Sequence, residues 1–271
     1  MRVWRTAGMP VLLAVSALGF TGFALLLPTA PMWAVHIGAD SLGAGLVNAV
    51  LMACTVIAQL LVGRLLRRAG WAVTLAIGMV LLGAPALVHM FADSLWAVLA
   101  LAALRGFGFG IITVCGVDGI AAIFAQEHRG RAIGAYGLAI AAPQFVLTPL
   151  APWRAGQVSC DLVFVLAGAP LLAVPLVLWF SRPVPRPPAL TGDHLPASRG
   201  LVGPIAALVV ITAAGGAILT FAPQFATTGT AFAALLALTG STALARWLIG
   251  GVADRIGPAR FIDPMLYLGA A

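Results

Sequence analysis

Residues 63–70 read Gly63-Arg64-Leu65-Leu66-Arg67-Arg68-Ala69-Gly70, and residues 250–257 read Gly250-Gly251-Val252-Ala253-Asp254-Arg255-Ile256-Gly257. Each stretch opens on Gly, has Arg five residues on and closes on Gly two residues after that. The likeness extends outward: Ala58 and Leu61 before the first stretch match Ala245 and Leu248 before the second. Gly63 and Gly250 stand 187 residues apart, far enough to hold six long helices and a connection. Long apolar runs flank both stretches, so each reads as a short polar turn between hydrophobic helices. Together they mark an internal duplication.

The apolar runs decide the solvent. Of 271 residues 62% are hydrophobic and 8% charged, with a mean hydropathy of +1.07. Soluble domains are near 45–50% apolar and about 25% charged, and a globule of this length cannot hide so much apolar surface. An ordinary soluble enzyme, a disordered chain and a disulfide scaffold are thereby excluded. A membrane-spanning helix needs about 20 mostly apolar residues. Residues 6–35, 41–63, 69–92, 132–153 and 162–181 carry no charge, and 94–126 carry Arg105 and Asp118 within one more span. Residues 200–245 lack Asp, Glu and Arg; Pro223 and Thr227-Thr228-Gly229-Thr230 divide them into two helices. The pattern predicts an all-α polytopic membrane helical bundle of eight full spans, with Phe261–Ala271 beginning a ninth. Residues 1–180 form a six-helix bundle, 181–200 a Pro-rich cytoplasmic linker and 201–271 a partial second bundle. Arg2 and Arg5 ahead of the first run resemble a signal peptide, but the length of that run and the spans behind it favour a retained helix.

All fifteen basic residues are Arg, and the net charge is +7. They sit in small groups between apolar runs, which argues against a nucleic-acid partner. With a cytoplasmic N-terminus, twelve of the fifteen fall on the cytoplasmic side: Arg2, Arg5, Arg64, Arg67, Arg68, Arg129, Arg131, Arg182, Arg186, Arg199, Arg255 and Arg260. The opposite loops keep Arg154 with Asp40, Asp93 and Asp161. This bias sets the orientation and predicts a multi-pass protein of a bacterial-type inner membrane. Cys54, Cys115 and Cys160 are too dispersed for a metal box or redox pair.

The second turn is similar to the G-x-x-x-D-R-x-G signature of the major facilitator superfamily, through Gly250, Asp254, Arg255 and Gly257. The first turn keeps the frame but has Arg67 at the acid's place, and Trp71-Ala72-Val73 follow where the family has basic residues. Arg105-Gly106-Phe107-Gly108-Phe109-Gly110 resembles the family's Arg- and Gly-rich fourth helix. Its fifth-helix antiporter pattern is largely missing, since only Pro143 remains. Parallel duplication of this kind is a transporter trait. By the offset, residue 271 corresponds to residue 84, so the equivalents of spans ten to twelve are expected outside this chain. Either it is a shortened product or a complementary chain completes it.

The resemblance implies a latch at the two turns: Gly63, Arg67, Arg68, Gly70 and Asp118 in the first copy, with Gly250, Asp254, Arg255 and Gly257 in the second. Arg64, Arg67 and Arg68 read equally as a basic turn against lipid headgroups. Asp118 lies near the cytoplasmic end of span four, where an ion pair with Arg67 or Arg68 is expected. Arg105 is eleven residues into that span, about 15 Å deep, where ionisable groups usually face a pathway or a partner. It is the leading substrate or coupling candidate, followed by Gln144, Thr148 and Thr21. Arg246 is expected to snorkel. His36 and His89 read as interfacial residues rather than proton relays. Phe20, Phe23, Phe107 and Phe109 read as packing or lipid-facing. No complete span has an Asp or Glu at its midplane, so proton coupling has no evident carrier and is left open.

These readings predict a secondary active transporter that moves a small solute by alternating access, with efflux of an organic or drug-like compound favoured by resemblance. The competing reading is a truncated, non-transporting membrane protein or a subunit. No cofactor and no metal are expected. An intramembrane enzyme is disfavoured, because no nucleophile elbow, histidine pair or catalytic carboxylate pair is present.

Overall fold

A computed structural model describes residue 6 and residues 8–124, 129–157, 160–180 and 202–256. The expected linker, residues 257–271 with Gly257 and the start of the ninth span, and Arg2 and Arg5 lie outside the described residues. Eight helices follow in order: α1 Met9–His36, α2 Ser41–Val88, α3 Leu95–Ile123, α4 Arg129–Gln157, α5 Cys160–Ala167, α6 Pro170–Phe180, α7 Val202–Phe225 and α8 Thr228–Ile256. A 3-10 turn, His89–Phe91, ends α2. Among the described residues there is no strand. The all-α membrane-type fold is as expected.

The helices correspond to the apolar stretches, with two differences. Spans two and three run together as Ser41–Phe91, 51 residues or about 76 Å of helix, more than twice the thickness of the hydrocarbon core. Gly70, at φ 78° and ψ 168°, kinks this segment into two limbs. That backbone region is essentially restricted to Gly, so the closing Gly of the first turn is demanded by geometry. Span six, expected as one helix, is divided into α5 and α6. Pro170 has no N–H to offer the Leu166 carbonyl, which accepts instead from Ala169 N at 3.1 Å. A Cβ at Gly22 of α1 would lie 2.6 Å from the Ala167 carbonyl oxygen and from Pro170 Cγ, so α1 presses directly on this break.

Helix α1 is the centre of the molecule, buried along most of its length and touched by α2 through α7. Helix α3 lies between the two limbs of α2, and the alternating Gly106, Gly108 and Gly110 explain how. Gly110 meets the first limb, where a Cβ would lie 2.5 Å from the Thr55 carbonyl oxygen. Gly106 meets the same limb at Leu51 and Cys54. Gly108 faces the second limb, 2.7 Å from the Gly78 carbonyl oxygen by the same measure. Small residues allow this backbone approach where hydrophobic exclusion cannot drive helices together. Polar ties reinforce it: Thr55 Oγ1 donates to the Gly106 carbonyl at 3.1 Å, and Trp71 Nε1 to the Cys115 carbonyl at 2.8 Å. Between the glycines, Phe109 stacks on Phe23 at 3.8 Å and meets Phe20 edge-on.

Side chains that remain exposed are largely apolar. Leu60, Phe91, Trp96, Leu172 and Trp179 are among the most exposed, with Trp96 at 81%. A lipid solvent explains them. Phe91, Trp96 and Trp179 lie at helix ends, the position of interfacial aromatic belts.

The offset of the two turns recurs at two helix starts. Asp40 caps α2 by accepting from Gly43 N at 2.8 Å, and Thr227 caps α8 by accepting from Thr230 N at 3.4 Å. The two capping residues, like the two acceptor–donor pairs, are 187 residues apart, the offset of the Gly-framed turns.

Candidate functional site

Arg105 occupies the α3 face turned toward the protein interior, between Gly108 below and Ala102 above. Its side chain is 0% exposed, and Nε, Nη1 and Nη2 are all buried without a hydrogen-bond partner. Side chains in a helix lean toward its N-terminus, which directs Arg105 toward the end of α2. His89 is there, also 0% exposed and within electrostatic reach of the guanidinium. His89 Nδ1 lies 2.8 Å from the Pro85 carbonyl and Nε2 has no partner. The ring rests 5.6 Å from Phe164 of α5, which meets Trp33 of α1 at 5.4 Å. The interfacial reading of His89 is therefore corrected. Its helix end is covered by α1 and α5, whereas His36 is exposed and stacked on Trp33.

The other candidates do not form one constellation with Arg105. Thr148 is 1% exposed and Gln144 half-buried, both on α4, the helix that joins α1 to α8. Thr21 spends its hydroxyl on the Ala17 carbonyl at 2.8 Å, within its own helix. In the first turn, Arg64, Arg67 and Arg68 are exposed. Arg67 Nη1 folds back to 3.7 Å from where a Cβ at Gly63 would stand. Gly63 thus has room for a methyl group, and of the two framing glycines only Gly70 is sterically required. The ion pair expected at Asp118 does not form among the described residues. Asp118 Oδ2 is buried without a hydrogen-bond partner, while Arg67 and Arg68 point outward. Arg129 meets that end of α3 instead, donating to the carbonyls of Ala121 at 3.0 Å and Phe124 at 3.1 Å. Those are carbonyls a helix C-terminus leaves open. Gly250, Asp254 and Arg255 fall within the backbone of α8; their side chains, and that of Arg246, lie outside the described residues.

One residue of consequence escaped the sequence reading. Asn48, the only Asn in the chain, joins three helices. Pro31 deprives the Leu27 carbonyl of its helical donor, and Asn48 Nδ2 supplies one at 3.0 Å. The same amide donates to Thr220 Oγ1 of α7 at 2.9 Å, and Thr220 passes its own proton to the Gly216 carbonyl at 2.8 Å. Asn48 Oδ1 stays buried and unpartnered. Beside this junction Phe221 reaches within 3.4 Å of a Cβ placed at Gly45. The available signal was a lone amide inside an apolar run facing a proline-interrupted helix.

The sequence profile described as Major Facilitator Superfamily matches residues 12–271. Among solved structures the chain is similar to one titled "Crystal structure of auto inhibited POT family peptide transporter", with 18% identity and a TM-score of 0.59. That match covers 96% of this chain and 56% of the other, so the chain spans little more than half the length of that transporter. No curated protein sequence matches it.

Proposed function

Because the chain belongs to the major facilitator superfamily, we propose that it serves secondary active transport of a small solute, with helices 1–180 and 201–271 as parts of two bundles that rock about a shared seam. Membership and the apolar helices make it a multi-pass membrane protein of transporter type. Substrate and direction belong to the proposal: efflux of an organic or drug-like compound, from an inner membrane with the N-terminus in the cytoplasm. The Arg distribution supports that orientation.

The observation that carries the reading is the Asn48–Thr220 hydrogen bond. It joins the second and seventh spans near the end of α7 that this orientation places outside. A polar tie of that kind, flanked by Phe221 on Gly45, is a contact that alternating access makes and breaks. On the opposite side, Asp254 and Arg255 are proposed as the cytoplasmic latch. The first-copy turn, having lost its acid, contributes mainly positive charge toward headgroups. Thr148, Gln144 and Thr21 are proposed to meet the solute along α1 and α4.

A second reading rests on the 56% coverage of the neighbouring transporter. On it the chain alone does not transport and needs a partner chain or further spans. One experiment separates the two. Proteoliposomes holding this chain, or this chain extended to twelve spans, are tested for efflux of a panel of organic cations and neutral drugs. Each is compared with an Asn48→Cys/Thr220→Cys variant locked by oxidation in a background without Cys54, Cys115 and Cys160. Reversible inhibition by the lock supports alternating access at this seam. Flux only in the extended protein supports the second reading, and no flux in either refutes the assignment of efflux.

A further inference from the structure

The end of α2 and the middle of α3 hold four orphaned nitrogens, three on Arg105 and one on His89, all buried and the two side chains within electrostatic reach of each other. A guanidinium does not discharge in proteins, and an uncompensated buried ion costs several kcal/mol. None of the described acids answers it. Asp40 is engaged at Gly43 N, Asp93 and Asp161 are exposed, and Asp118 is thirteen residues along α3, about 20 Å from Arg105. The elements around His89 add no compensating charge: α5 offers the Phe164 ring, and α1 offers Trp33, with His36 stacked on it and exposed.

The hydrogen-bonding inventory defines what such a pair of side chains can bind. A carbonyl only accepts, so His89 gives its Nδ1 proton to Pro85, and in the neutral ring Nε2 is left as an acceptor. A single ligand that answers both side chains carries one negative charge, accepts from a planar fork and donates one hydrogen. We infer that Arg105 and His89 form a binding site for a compact monovalent oxyanion bearing one hydroxyl, of the hydrogencarbonate type. Its two charged oxygens take the guanidinium fork in the bidentate manner of carboxylates, and its O–H goes to His89 Nε2. Water fills the nitrogens but leaves the charge uncompensated. Chloride balances the charge but offers nothing to Nε2. The inference needs no transport activity and stands or falls apart from it.

The test is ligand-dependent stability of the whole chain in lipid nanodiscs, followed through tryptophan emission, to which Trp33 contributes from two rings away. Sodium gluconate is exchanged at constant ionic strength and pH 8 for hydrogencarbonate, formate or chloride. Binding to the folded state alone favours it by 1 + [L]/Kd, about a hundredfold at a hundred times Kd. The expected result is a saturable rise in melting temperature with hydrogencarbonate, a smaller one with formate and the smallest with chloride. Arg105→Met abolishes all three, and His89→Phe makes hydrogencarbonate and formate equivalent. Equal melting in all four salts, chloride as the strongest ligand, or an undiminished hydrogencarbonate effect in Arg105→Met overturns the assignment. Should Arg105→Met not fold, radiolabelled hydrogencarbonate binding to the unaltered chain and to His89→Phe decides. Saturable binding weakened in the variant supports the site, and absent or unchanged binding refutes it.

Discussion

Gly63 and Gly70 look equivalent in the repeated turn, yet their backbones differ. Gly70 has φ 78° and ψ 168°, whereas a Cβ at Gly63 meets nothing nearer than Arg67 Nη1 at 3.7 Å. Gly70→Ala is expected to destabilise the protein by roughly 1–3 kcal/mol, the cost of holding a side chain in that region. Gly63→Ala should change stability by less than about 0.5 kcal/mol. Thermal unfolding in nanodiscs of both variants checks the pair, and equal losses would contradict the assignment of the turn to Gly70 alone. The sequence showed both glycines and their spacing. What it lacked was any sign of which was used for conformation, because that depends on where the two limbs of α2 are pinned by α3. Arg105 is the reverse case. Its depth followed from its place in an apolar run, but burial without a protein partner depends on how other helices pack over it.

The length of α3 and its Arg and Gly pattern were all legible in the sequence. Its seat between two limbs of one helix was not, since alternation of 106, 108 and 110 gains meaning only when both limbs are in place. Gly110→Val must displace the Thr55 backbone of α2, which a side-chain rotation cannot relieve. Overpacking of this kind costs about 1–3 kcal/mol. Loss is expected in unfolding experiments and, more specifically, as faster cysteine modification at Cys54, which faces Gly106 of α3 from the same limb as Thr55. Wild-type modification rates in Gly110→Val would show that this limb does not bear on α3 there. The division of span six is an element-scale effect of the same sort. Apolar composition alone fits one helix through residues 162–181, and Pro170 with the tight approach of Gly22 breaks it.

At the scale of the whole molecule the 187-residue offset is legible from two short turns. The equal spacing of the helix caps at Asp40 and Thr227 extends it to residues that share no side-chain type. The contact between α2 and α7 was not legible, because Asn48 and Thr220 are 172 residues apart and neither stands in a motif. Their hydrogen bond can be separated from the one to Leu27. Thr220→Val removes the tie between α2 and α7 together with the hydroxyl's own bond to the Gly216 carbonyl of its helix, while Asn48→Leu strands the Leu27 carbonyl that Pro31 has freed. A typical hydrogen bond contributes about 0.5–1.5 kcal/mol net, and leaving a buried acceptor unsatisfied costs about 1–3 kcal/mol. Asn48→Leu is therefore expected to lower stability more than Thr220→Val. Both should open the seam by a similar factor, between about twofold and tenfold at those energies. A single Cys at Gly45, opposite Phe221, in a background lacking Cys54, Cys115 and Cys160 reports that opening through its rate of alkylation by a membrane-impermeant maleimide. Faster alkylation in both variants, with the larger stability loss confined to Asn48→Leu, is the expected pattern. Unchanged alkylation in Thr220→Val would mean that the seam is held by the apolar contact of Phe221 on Gly45, with the polar bond a passenger.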